Sequence, residues 1–454
     1  MPDSTPISLE SNGGGLNVLG PDLKETEAGN YFVSNYPPFS QWLPERRVEA
    51  SERLAQPPVP NTPLGLYVHI PFCRKRCRFC YFKVYTDKNA DDIQTYLDSV
   101  VRESAALAEQ QFVAGRPLDF IYFGGGTPSY PSEKHLAALM TGLQQALPWD
   151  QAREVAFECE PGTLSEQKLR AISDFGVTRL SLGLEHFDDQ ILELNNRAHR
   201  SAEIHRAYDW ARKVGFQQIN IDLIAGMVGE TEEKWQDAVE RALALDPDAL
   251  TVYQMELPFN TTIVKEMREQ GLDVSPIADW PTKRRWVAEA FERFEAAGYS
   301  VSSAYTVVKD PAKMKFIYRD ALWFGADMIA TGVSSFGILD GVHYQNEANI
   351  ERYVEAVSRG DSPIFRAMTM SKEERLIRCF ILQLKLGRIS RSWFLDRFGE
   401  DVFARWNDIL TSYEKSGMLT RDDEELRLTR QGLLQVDRLL HAFFLPVHQE
   451  VRYA

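Results

Sequence analysis

The sequence has little cysteine, no long apolar run and no excess of positive charge. Only five of its 454 residues are cysteine, which is too few for a disulfide scaffold at this length. No apolar stretch reaches the roughly 18 residues that a membrane-spanning helix needs. The first residues are acidic and glycine-rich, whereas a secretion signal needs a basic start followed by an apolar segment. We therefore expect a protein of the reducing cytoplasm without a membrane span.

The charge balance excludes another class of function. The formal net charge is −14, with 65 acidic against 51 basic residues. A nucleic-acid-binding domain needs a basic face, so we expect no nucleic-acid partner. The apolar fraction of 44% is ordinary for a globular protein, and the length suits two or three domains of roughly 100–200 residues each. We predict a soluble globular protein that acts as a monomer.

Three of the five cysteines lie close together. Cys73, Cys77 and Cys80 have the spacing C-x3-C-x2-C and follow a short apolar run that Pro71 closes. Because a 4Fe–4S cluster is usually held by four sulfurs, three local thiols would leave one iron without a protein ligand. That iron can bind a small chelating ligand such as the amino and carboxylate groups of S-adenosylmethionine (SAM). We predict a 4Fe–4S cluster that cleaves SAM reductively to a 5′-deoxyadenosyl radical.

Other interpretations of the cysteines remain open at this point. One is a structural zinc site with a distant fourth ligand such as His69, although zinc ligands usually come as paired Cys-x2-Cys or Cys/His sets and no second pair follows. Another is a set of buried structural cysteines. We expect the remaining two, Cys159 and Cys379, to be small buried apolar residues rather than cluster ligands.

From about residue 66 to 305, strand-like and helical patterns alternate. The predicted strands are 66–70, 120–123, 155–160, 179–183, 219–224 and 250–254. The predicted helices lie near 91–110, 133–146, 166–175, 202–214, 232–245 and 278–297. This alternation predicts an α/β fold of parallel strands with right-handed crossovers. Six units predict a partial (β/α) barrel, in which chemistry lies at the C-terminal ends of the strands.

Polar motifs follow these predicted strands. The turn Gly124-Gly-Gly-Thr-Pro-Ser129 leaves backbone N–H groups free to approach a ligand. Glu158 and Asp222 lie at the ends of the third and fifth predicted strands, and Glu185 and Arg197 follow the fourth. We expect these four side chains to converge on one cavity mouth. Carboxylates suit an ammonium group or ribose hydroxyls, and a guanidinium suits a carboxylate. These groups are the ones needed to hold an amino-acid nucleoside such as SAM.

The chain divides into five predicted segments: a mobile arm at 1–30, an aromatic segment and linker at 31–63, the barrel at 64–305, a barrel extension at 306–369 and a C-terminal domain at 370–454. Helical patterns at 373–384, 392–398 and 402–415, a short hairpin and a last helix to residue 444 predict that the C-terminal domain resembles a winged helix. The acidic run at 422–425 stands where a DNA-binding wing would be basic, which favours a lid over the barrel mouth.

Two features outside the predicted barrel strands and C-terminal domain have alternative interpretations. The aromatic stretch 31–42 either caps the cavity mouth or packs onto the domain. His343 is expected to be a hydrogen-bonded structural histidine rather than a metal or haem ligand. Neither feature changes the prediction that the chemistry lies at the ends of the barrel strands.

Several stretches resemble the radical SAM superfamily, in the branch of oxygen-independent coproporphyrinogen III oxidase. They are the cysteine loop with Tyr67-Val-His-Ile-Pro-Phe72, the Gly-Gly-Gly-Thr-Pro turn, Glu158-Cys-Glu-Pro161, Ser181-Leu-Gly-Leu184 and Asp222-Leu-Ile-Ala-Gly226. The resemblance covers about residues 31–445. It implies that the cluster ligands are Cys73, Cys77 and Cys80. It implies that the cluster-bound SAM is contacted by Tyr67, Gly125, Glu158 and Phe336, of which Tyr67 and Glu158 are also catalytic. It implies a second SAM pocket formed by Phe79, Gly126, Thr127, Glu185, Arg197, Asp222 and Met255.

The resemblance implies a radical SAM oxidoreductase that receives electrons from a donor such as flavodoxin or ferredoxin. Its expected substrate is a small molecule related to the tetrapyrroles of porphyrin biosynthesis, and the expected reaction is oxidative decarboxylation. Phe82 stands where the oxidase has a fourth cysteine, and Glu185 stands where it has glutamine. The related haem chaperones carry a His-Asn-x-x-Tyr-Trp signature, but the matching residues 317–323 contain no histidine. A two-SAM C-methyltransferase or cyclopropanase and a haem-binding chaperone therefore remain as alternatives.

Overall fold

The structure is a computed structural model that describes residues 33–258, 261–270 and 277–449. The mobile arm predicted at 1–30 lies outside these residues. All five cysteines are free thiols. No helix in the described ranges combines the length and the apolarity that crossing a bilayer requires.

Within the described residues, six parallel strands form the centre of a twelve-stranded sheet. They are β1 (Leu64–Ile70), β2 (Leu118–Gly125), β3 (Glu154–Cys159), β4 (Arg179–Glu185), β5 (Gln218–Ala225) and β6 (Ala249–Gln254). They neighbour one another in chain order, each paired in parallel with the next. This arrangement confirms the predicted six-unit α/β architecture, and no strand end differs from the prediction by more than two residues.

Helices join these strands and surround the sheet. They are α1 (Arg47–Leu54), α2 (Ala90–Ala108), α3 (Glu133–Ala146), α4 (Glu166–Asp174), α5 (Asp189–Leu194), α6 (Ser201–Val214), α7 (Glu232–Leu245), α8 (Thr262–Gln270), α9 (Trp280–Ala296), α10 (Ile317–Trp323) and α11 (Ile350–Ser358). The amphipathic crossover helix α2 begins in a capping box of Asn89 and Asp92, and Ile93, Leu97 and Val100 lie on its buried face. The six predicted helices are confirmed, whereas α1, α5, α8, α10 and α11 were not predicted.

The interior of the sheet follows from the alternation of side chains along each strand. On β4, Leu180, Leu182 and Leu184 are fully buried in the main core. The residues between them, including Ser181 and Gly183, point the other way and line a cavity. The apolar face of the strand therefore packs against the helices, and the opposite face points its polar groups into the barrel.

Further strands extend both ends of this sheet. They are β7 (Ser300–Val301), β8 (Thr306–Val308), β9 (Asp327–Thr331), β10 (Phe336–Leu339), β11 (Val342–Asn346) and β12 (Ile364–Thr369). Strand β9 pairs in parallel with β1, β10 to β12 continue antiparallel beyond it, and β8 pairs antiparallel with β6. None of them is among the six strands predicted above, and the shortest, β7 and β8, have only two and three residues, too few to show a clear alternation.

The C-terminal region combines helices with a three-stranded antiparallel sheet, as a winged-helix-like arrangement predicts. Its elements are α12 (Lys372–Leu384), β13 (Arg388–Ser390), α13 (Arg391–Phe398), α14 (Val402–Arg405), α15 (Asn407–Lys415), β14 (Leu419–Arg421), β15 (Glu425–Leu428), α16 (Arg430–Leu434), α17 (Val436–Leu440) and α18 (Pro446–Gln449). The single helix predicted at 402–415 is wrong, because the chain breaks at Trp406, whose ring packs on Phe380 and Phe443. The last predicted helix is likewise divided into short pieces.

The aromatic segment packs onto the rest of the protein. Tyr36 lies 5.0 Å from the ring of Phe444, and Trp42 stacks on His343 at 4.7 Å between ring centroids. His343 is buried and its Nε2 lies 3.1 Å from the carbonyl oxygen of Tyr36, as expected of a structural histidine. None of the described residues of this segment lines the cavity at the strand ends. The structure therefore favours packing over a cap.

Candidate functional site

A cavity of about 430 Å³ lies at the C-terminal ends of the parallel strands. Its walls come from the cysteine loop, from the ends of β2 to β6 and from helices α16 and α17. Most of the predicted site residues line it, namely Cys73, Cys77, Phe79, Cys80, Gly125, Gly126, Thr127, Glu158, Glu185, Arg197, Asp222 and Met255. The structure thus brings together side chains that are up to 182 positions apart in the chain, counted from Cys73 to Met255.

The two ends of the cysteine loop are joined by backbone hydrogen bonds. The N–H of Cys73 donates to the carbonyl of Tyr85 at 3.0 Å, and the N–H of Tyr85 donates to the carbonyl of Pro71 at 2.9 Å. A further bond runs from the N–H of Cys80 to the carbonyl of Cys77 at 3.2 Å. These bonds fix the start and the end of the loop, so that its three thiols face the same cavity.

The glycine-rich turn after β2 closes against this loop. The N–H of Gly126 donates to the carbonyl of Ile70 at 2.8 Å. A Cβ atom at Gly126 would lie 2.9 Å from the sulfur of Cys73 and 2.8 Å from the backbone of Pro71, so only glycine fits. The hydroxyl of Thr127 donates to the sulfur of Cys73 at 3.3 Å. This turn therefore supports the first cysteine directly.

Arg197 connects the cysteine loop with the strand ends. Its Nη1 donates to the sulfur of Cys77 at 3.2 Å, and its Nη2 donates to the carbonyl of Gly183 at 2.8 Å. Burial lowers the pKa of Arg197, but Cys77 and Glu185 raise it more, so the guanidinium stays charged. Its Nε is buried and has no hydrogen-bond partner among the described residues. A cation with a spare buried donor is suited to an anionic group of a ligand.

Glu158 is held at the end of β3 by two donors. The hydroxyl of Tyr122 donates to Oε1 at 2.5 Å, and the N–H of Gly125 donates to Oε2 at 3.3 Å. Burial raises the pKa of Glu158 to about 7, even though the bond from Tyr122 lowers it. The carboxyl group therefore changes charge near neutral pH, which is common at functional sites.

Glu185 and Asp222 add two more carboxyl groups, and both side chains are partly buried. Glu185 has φ of 64°, in the left-handed region that non-glycine residues rarely adopt, next to an irregularity in the β4–β5 pairing. Burial raises the pKa of Glu185 to about 7, although Arg197 lowers it. Asp222 also has a raised pKa because of burial, and Asn220 Nδ2 donates to it at 2.9 Å. Strained backbone that turns a carboxylate into a cavity indicates a functional role.

Tyr67 and Phe336 do not line this cavity. The hydroxyl of Tyr67 lies 3.1 Å from Nδ1 of His69, and its ring stacks on Tyr122 at 6.0 Å. Phe336 packs against Phe39 at 4.4 Å, beside the aromatic segment. The catalytic role implied for Tyr67 and the SAM contacts implied for both residues remain predictions.

Several residues of the cavity were not predicted. Tyr253 is the next-to-last residue of β6, where the alternation of side chains along the strand would have identified it as inward-facing. Tyr305 and Asp437 meet through a hydrogen bond across the cavity wall, with Leu433, Leu434 and Val436 beside them. No local pattern pointed to these five, because they reach the cavity only through packing of the C-terminal helices on the barrel.

The residues present fit an iron–sulfur cluster better than a single metal ion. In the described ranges, no group of three or more His, Cys, Asp or Glu side chains is arranged to hold one ion, and His69 bonds Tyr67 instead. Burial raises the pKa of Cys73 to about 12 and of Cys80 to about 11, so these metal-free thiols are protonated until a metal displaces the protons. Donors on two of the three sulfurs are the supporting contacts that cluster thiolates use.

Comparison with known proteins points in the same direction. The model of the radical SAM superfamily matches residues 67–242, and the model of the HemN C-terminal domain matches residues 370–434. The chain is 27% identical to heme chaperone HemW of Bacillus subtilis over 83% of its length and 98% of that protein. It is 25% identical to oxygen-independent coproporphyrinogen III oxidase of Escherichia coli over 87% of its length and 88% of that protein.

A solved structure has the same fold. The coproporphyrinogen III oxidase HemN of Escherichia coli superposes with a TM-score of 0.79, at 24% identity, over 91% of this chain and 96% of that chain. The fold of this neighbour agrees with the two domain models that match the chain. The chain joins a domain of the radical SAM superfamily, over residues 67–242, to a HemN C-terminal domain, over residues 370–434.

Proposed function

We propose that this protein is a radical SAM enzyme whose cluster is bound by Cys73, Cys77 and Cys80. The observation that supports this most strongly is the convergence of three thiols, Arg197 and buried carboxyl groups on one cavity. When bound, the cluster and SAM supply a hydrogen-abstracting 5′-deoxyadenosyl radical. The chain itself binds and orients the reacting groups and keeps water away from them.

The charged residues have separate roles in this proposal. Glu158, held by Tyr122 and Gly125, accepts hydrogen bonds from the ammonium group or ribose hydroxyls of SAM. Arg197 offers its unpartnered Nε to a carboxylate. Asp222, fixed by Asn220, accepts from a second polar group of the ligand. The apolar residues Leu433 and Leu434 cover the opposite side and exclude water.

We propose a conjugated small molecule related to the tetrapyrroles as the substrate class and oxidative decarboxylation as the reaction. Aromatic side chains such as Phe79, Tyr253 and Trp280 line the cavity and suit a flat unsaturated molecule. The names of both groups of relatives, coproporphyrinogen III oxidase and heme chaperone, refer to tetrapyrroles. The haem-carrier alternative shares the support of the relatives' names, but the described residues that line the cavity include no histidine to ligate haem iron.

A second candidate is a two-SAM enzyme that transfers a carbon group. The observation in its favour is that Arg197, Glu185 and Asp222 lie with Phe79 and Met255 in the cavity that the cysteines also line. These residues could hold a further amino-acid nucleoside beside the first. Methyl-labelled SAM separates the two reactions, because label appears in the product of the second and carbon dioxide is lost in the first.

The cluster assignment is tested by anaerobic reconstitution. The wild-type chain is expected to bind about four irons and to form 5′-deoxyadenosine from SAM with dithionite. Cys77→Ala should lose both properties, whereas Cys379→Ala, a matched change in the C-terminal core, should retain them. Full turnover by Cys77→Ala would contradict the proposal.

A further inference from the structure

The cysteine loop carries a concentrated positive charge on an acidic protein. Residues 73–86 contain five cations and no acidic residue, although the whole chain has a net charge of −14. Four of these cations form what we call the basic rim, namely Arg74, Lys75, Arg76 and Lys83. Arg74, Lys75 and Arg76 line the cavity, as do the carboxyl groups of Glu158, Glu185 and Asp222, and Lys83 follows the last cysteine on the same loop.

The positive charge of the rim is available to a partner. Arg78, the fifth cation of the loop, is already paired with Glu266. In contrast, Lys75 and Lys83 are exposed, and no ion pair joins either of them to a carboxylate in the described part of the chain. Arg74 is partly neutralised, since its Nη2 lies 3.4 Å from Glu160. The two lysines therefore carry positive charge that no carboxylate in the described part of the chain neutralises.

Two exposed aromatic side chains stand beside the rim. Tyr81 and Phe82 follow Cys80 directly and are 41% and 49% exposed. Their rings pack on each other at 4.5 Å between centroids. Exposed aromatic groups next to arginine are characteristic of protein–protein interfaces rather than of ordinary surface.

We propose that the basic rim and the Tyr81–Phe82 pair form the docking surface for an acidic one-electron carrier protein. This inference rests on the proposed function, because it assigns the rim to delivery of the electron that the cluster needs. The carrier loses one electron and the cluster gains it. The rim lies on the same loop as the three cysteines, so a partner bound there docks beside the residues proposed to hold the cluster.

The charge and size of the surface fit this kind of partner. Electron-transfer complexes are small and transient, so a compact patch is sufficient. Complementary charge speeds their association more than it tightens their final complex. The competing occupant is a carboxylate-bearing substrate, for which the cavity already supplies Arg197. The exposed rings of Tyr81 and Phe82 add an apolar surface beside the cations, which suits a protein partner better than a small anion.

Binding of flavodoxin, an acidic flavoprotein, tests the surface directly. The full chain is titrated with oxidised flavodoxin at low salt, with and without reconstituted cluster, and the dissociation constant is followed by flavin fluorescence. The double variant Lys75→Glu/Lys83→Glu should bind about tenfold more weakly. Added salt should weaken wild-type binding and have less effect on the variant.

Lys315→Glu is the matched control. Lys315 is exposed and precedes α10, whose first N–H groups bond Glu154 at the start of β3, at the opposite end of the barrel. This control should bind flavodoxin like the wild type. Wild-type affinity in the double variant, or equal weakening in the control, would overturn the docking surface.

The rate of 5′-deoxyadenosine formation provides the second measurement. In the double variant the rate driven by reduced flavodoxin should fall about tenfold, while the rate driven by dithionite, which needs no docking, should match the wild type. Equal loss with both reductants would place the rim in SAM or cluster binding and overturn the proposal. If the wild type forms no 5′-deoxyadenosine with dithionite, the proposed function fails, and the binding titration alone decides the docking surface.

Discussion

The cavity has two walls that are built differently. The barrel wall consists of strand ends and carries buried charged groups, including Glu158, Glu185 and Asp222. The C-terminal wall consists of helices α16 and α17 and presents Leu433, Leu434 and Val436. Both walls contain charges that are expensive to bury, but the charges are satisfied to different degrees.

The C-terminal wall is held by a buried ion pair that is fully engaged within the protein. Lys385 lies 2.7 Å from Asp437, and its Nζ also donates to the carbonyl of Val33 at 2.7 Å. Asp437 accepts from the N–H of Val33 at 3.0 Å and from the hydroxyl of Tyr305. The pair thus ties the aromatic segment and the C-terminal helices to the barrel.

The barrel wall is different because its carboxyl groups are only partly compensated. Glu158 and Glu185 both have pKa values raised to about 7 by burial, and Arg197 is the cation beside Glu185. The contrast indicates that the charged groups of the C-terminal wall stabilise the fold, whereas those of the barrel wall are suited to binding a ligand. Substitutions in the two walls should therefore affect different properties of the protein.

The largest expected effect is on the C-terminal wall. Lys385→Met leaves Asp437 buried without its cation, so the free energy of unfolding should fall by about 3–5 kcal/mol. Urea denaturation measures the change. Lys385→Met/Asp437→Leu should recover part of the loss, and the exposed control Lys415→Met should change little. A loss below about 1 kcal/mol in the single variant would show that the pair is not needed.

A smaller effect is expected on the barrel wall. Arg197→Lys keeps the charge but loses the fork that reaches both Cys77 and Gly183. Binding of SAM to the reconstituted protein should weaken by about 1.5–3 kcal/mol. Calorimetric titration measures the affinity, with Arg200→Lys as the control, since Arg200 bonds only neighbouring carbonyl groups and lies 3.5 Å from Glu193. An affinity within twofold of the wild type would remove Arg197 from the binding site.

The pH dependence of SAM affinity should be weaker still. With a pKa of about 7, Glu158 is mostly neutral at pH 6 and mostly ionised at pH 7.5, and only the ionised form attracts a cationic ligand. Affinity should therefore rise with pH, by at most about eightfold over this range. Glu158→Gln should flatten the profile.

Glu103→Gln is the control for this profile. Burial also raises the pKa of Glu103 to about 7, but its carboxylate accepts hydrogen bonds from Tyr353 and Asn346 outside the cavity. A SAM profile that Glu103→Gln changes as much as Glu158→Gln would remove the special role of Glu158.

The raised pKa values of Glu103 and Glu158 also affect stability. A carboxyl group with a raised pKa stabilises the fold below its unfolded pKa, so the free energy of unfolding should fall as pH rises from about 4.5 to 7.

The smallest effect is expected at the Tyr81–Phe82 pair, which lies beside the basic rim on the cysteine loop and on neither of these two walls. Phe82 is 49% exposed, so Phe82→Ala should change the free energy of unfolding by less than about 0.5 kcal/mol. Phe443→Ala, in the C-terminal core, should cost about 3–5 kcal/mol by the same urea measurement. A large loss from Phe82→Ala would show that its ring supports the fold.

The barrel could be predicted because its signals are local. Each parallel strand is a short apolar run followed by polar residues, and each crossover helix has a capped start and an apolar face. The same regularity is sufficient to predict that Glu158 and Asp222 lie at strand ends. The flanking strands escaped prediction because they are short, and β7 has only two residues.

Other parts depended on distant contacts. The helix predicted at 402–415 breaks where Trp406 packs between rings from other helices, and no local pattern indicates this. The order of strands did not reveal that Phe336 would lie against Phe39 instead of in the cavity. The roles of Tyr67 and Phe336 were inferred from resemblance alone. Neither side chain lines the cavity, so these roles remain predictions.

By itself, the sequence determined the three-thiol loop, the six parallel strands and the polar residues that end them, because each depends on spacing over a few residues. The prediction of a C-terminal lid named no residues, and only the tertiary structure decided which ones, in α16 and α17, form the second wall. The bond from Val33 to Asp437 spans 404 positions, and the bond from Tyr305 to Asp437 spans 132. Such contacts form because buried polar groups are hydrogen-bonded to residues on the far side of a packed core. The local sequence around either residue does not indicate them.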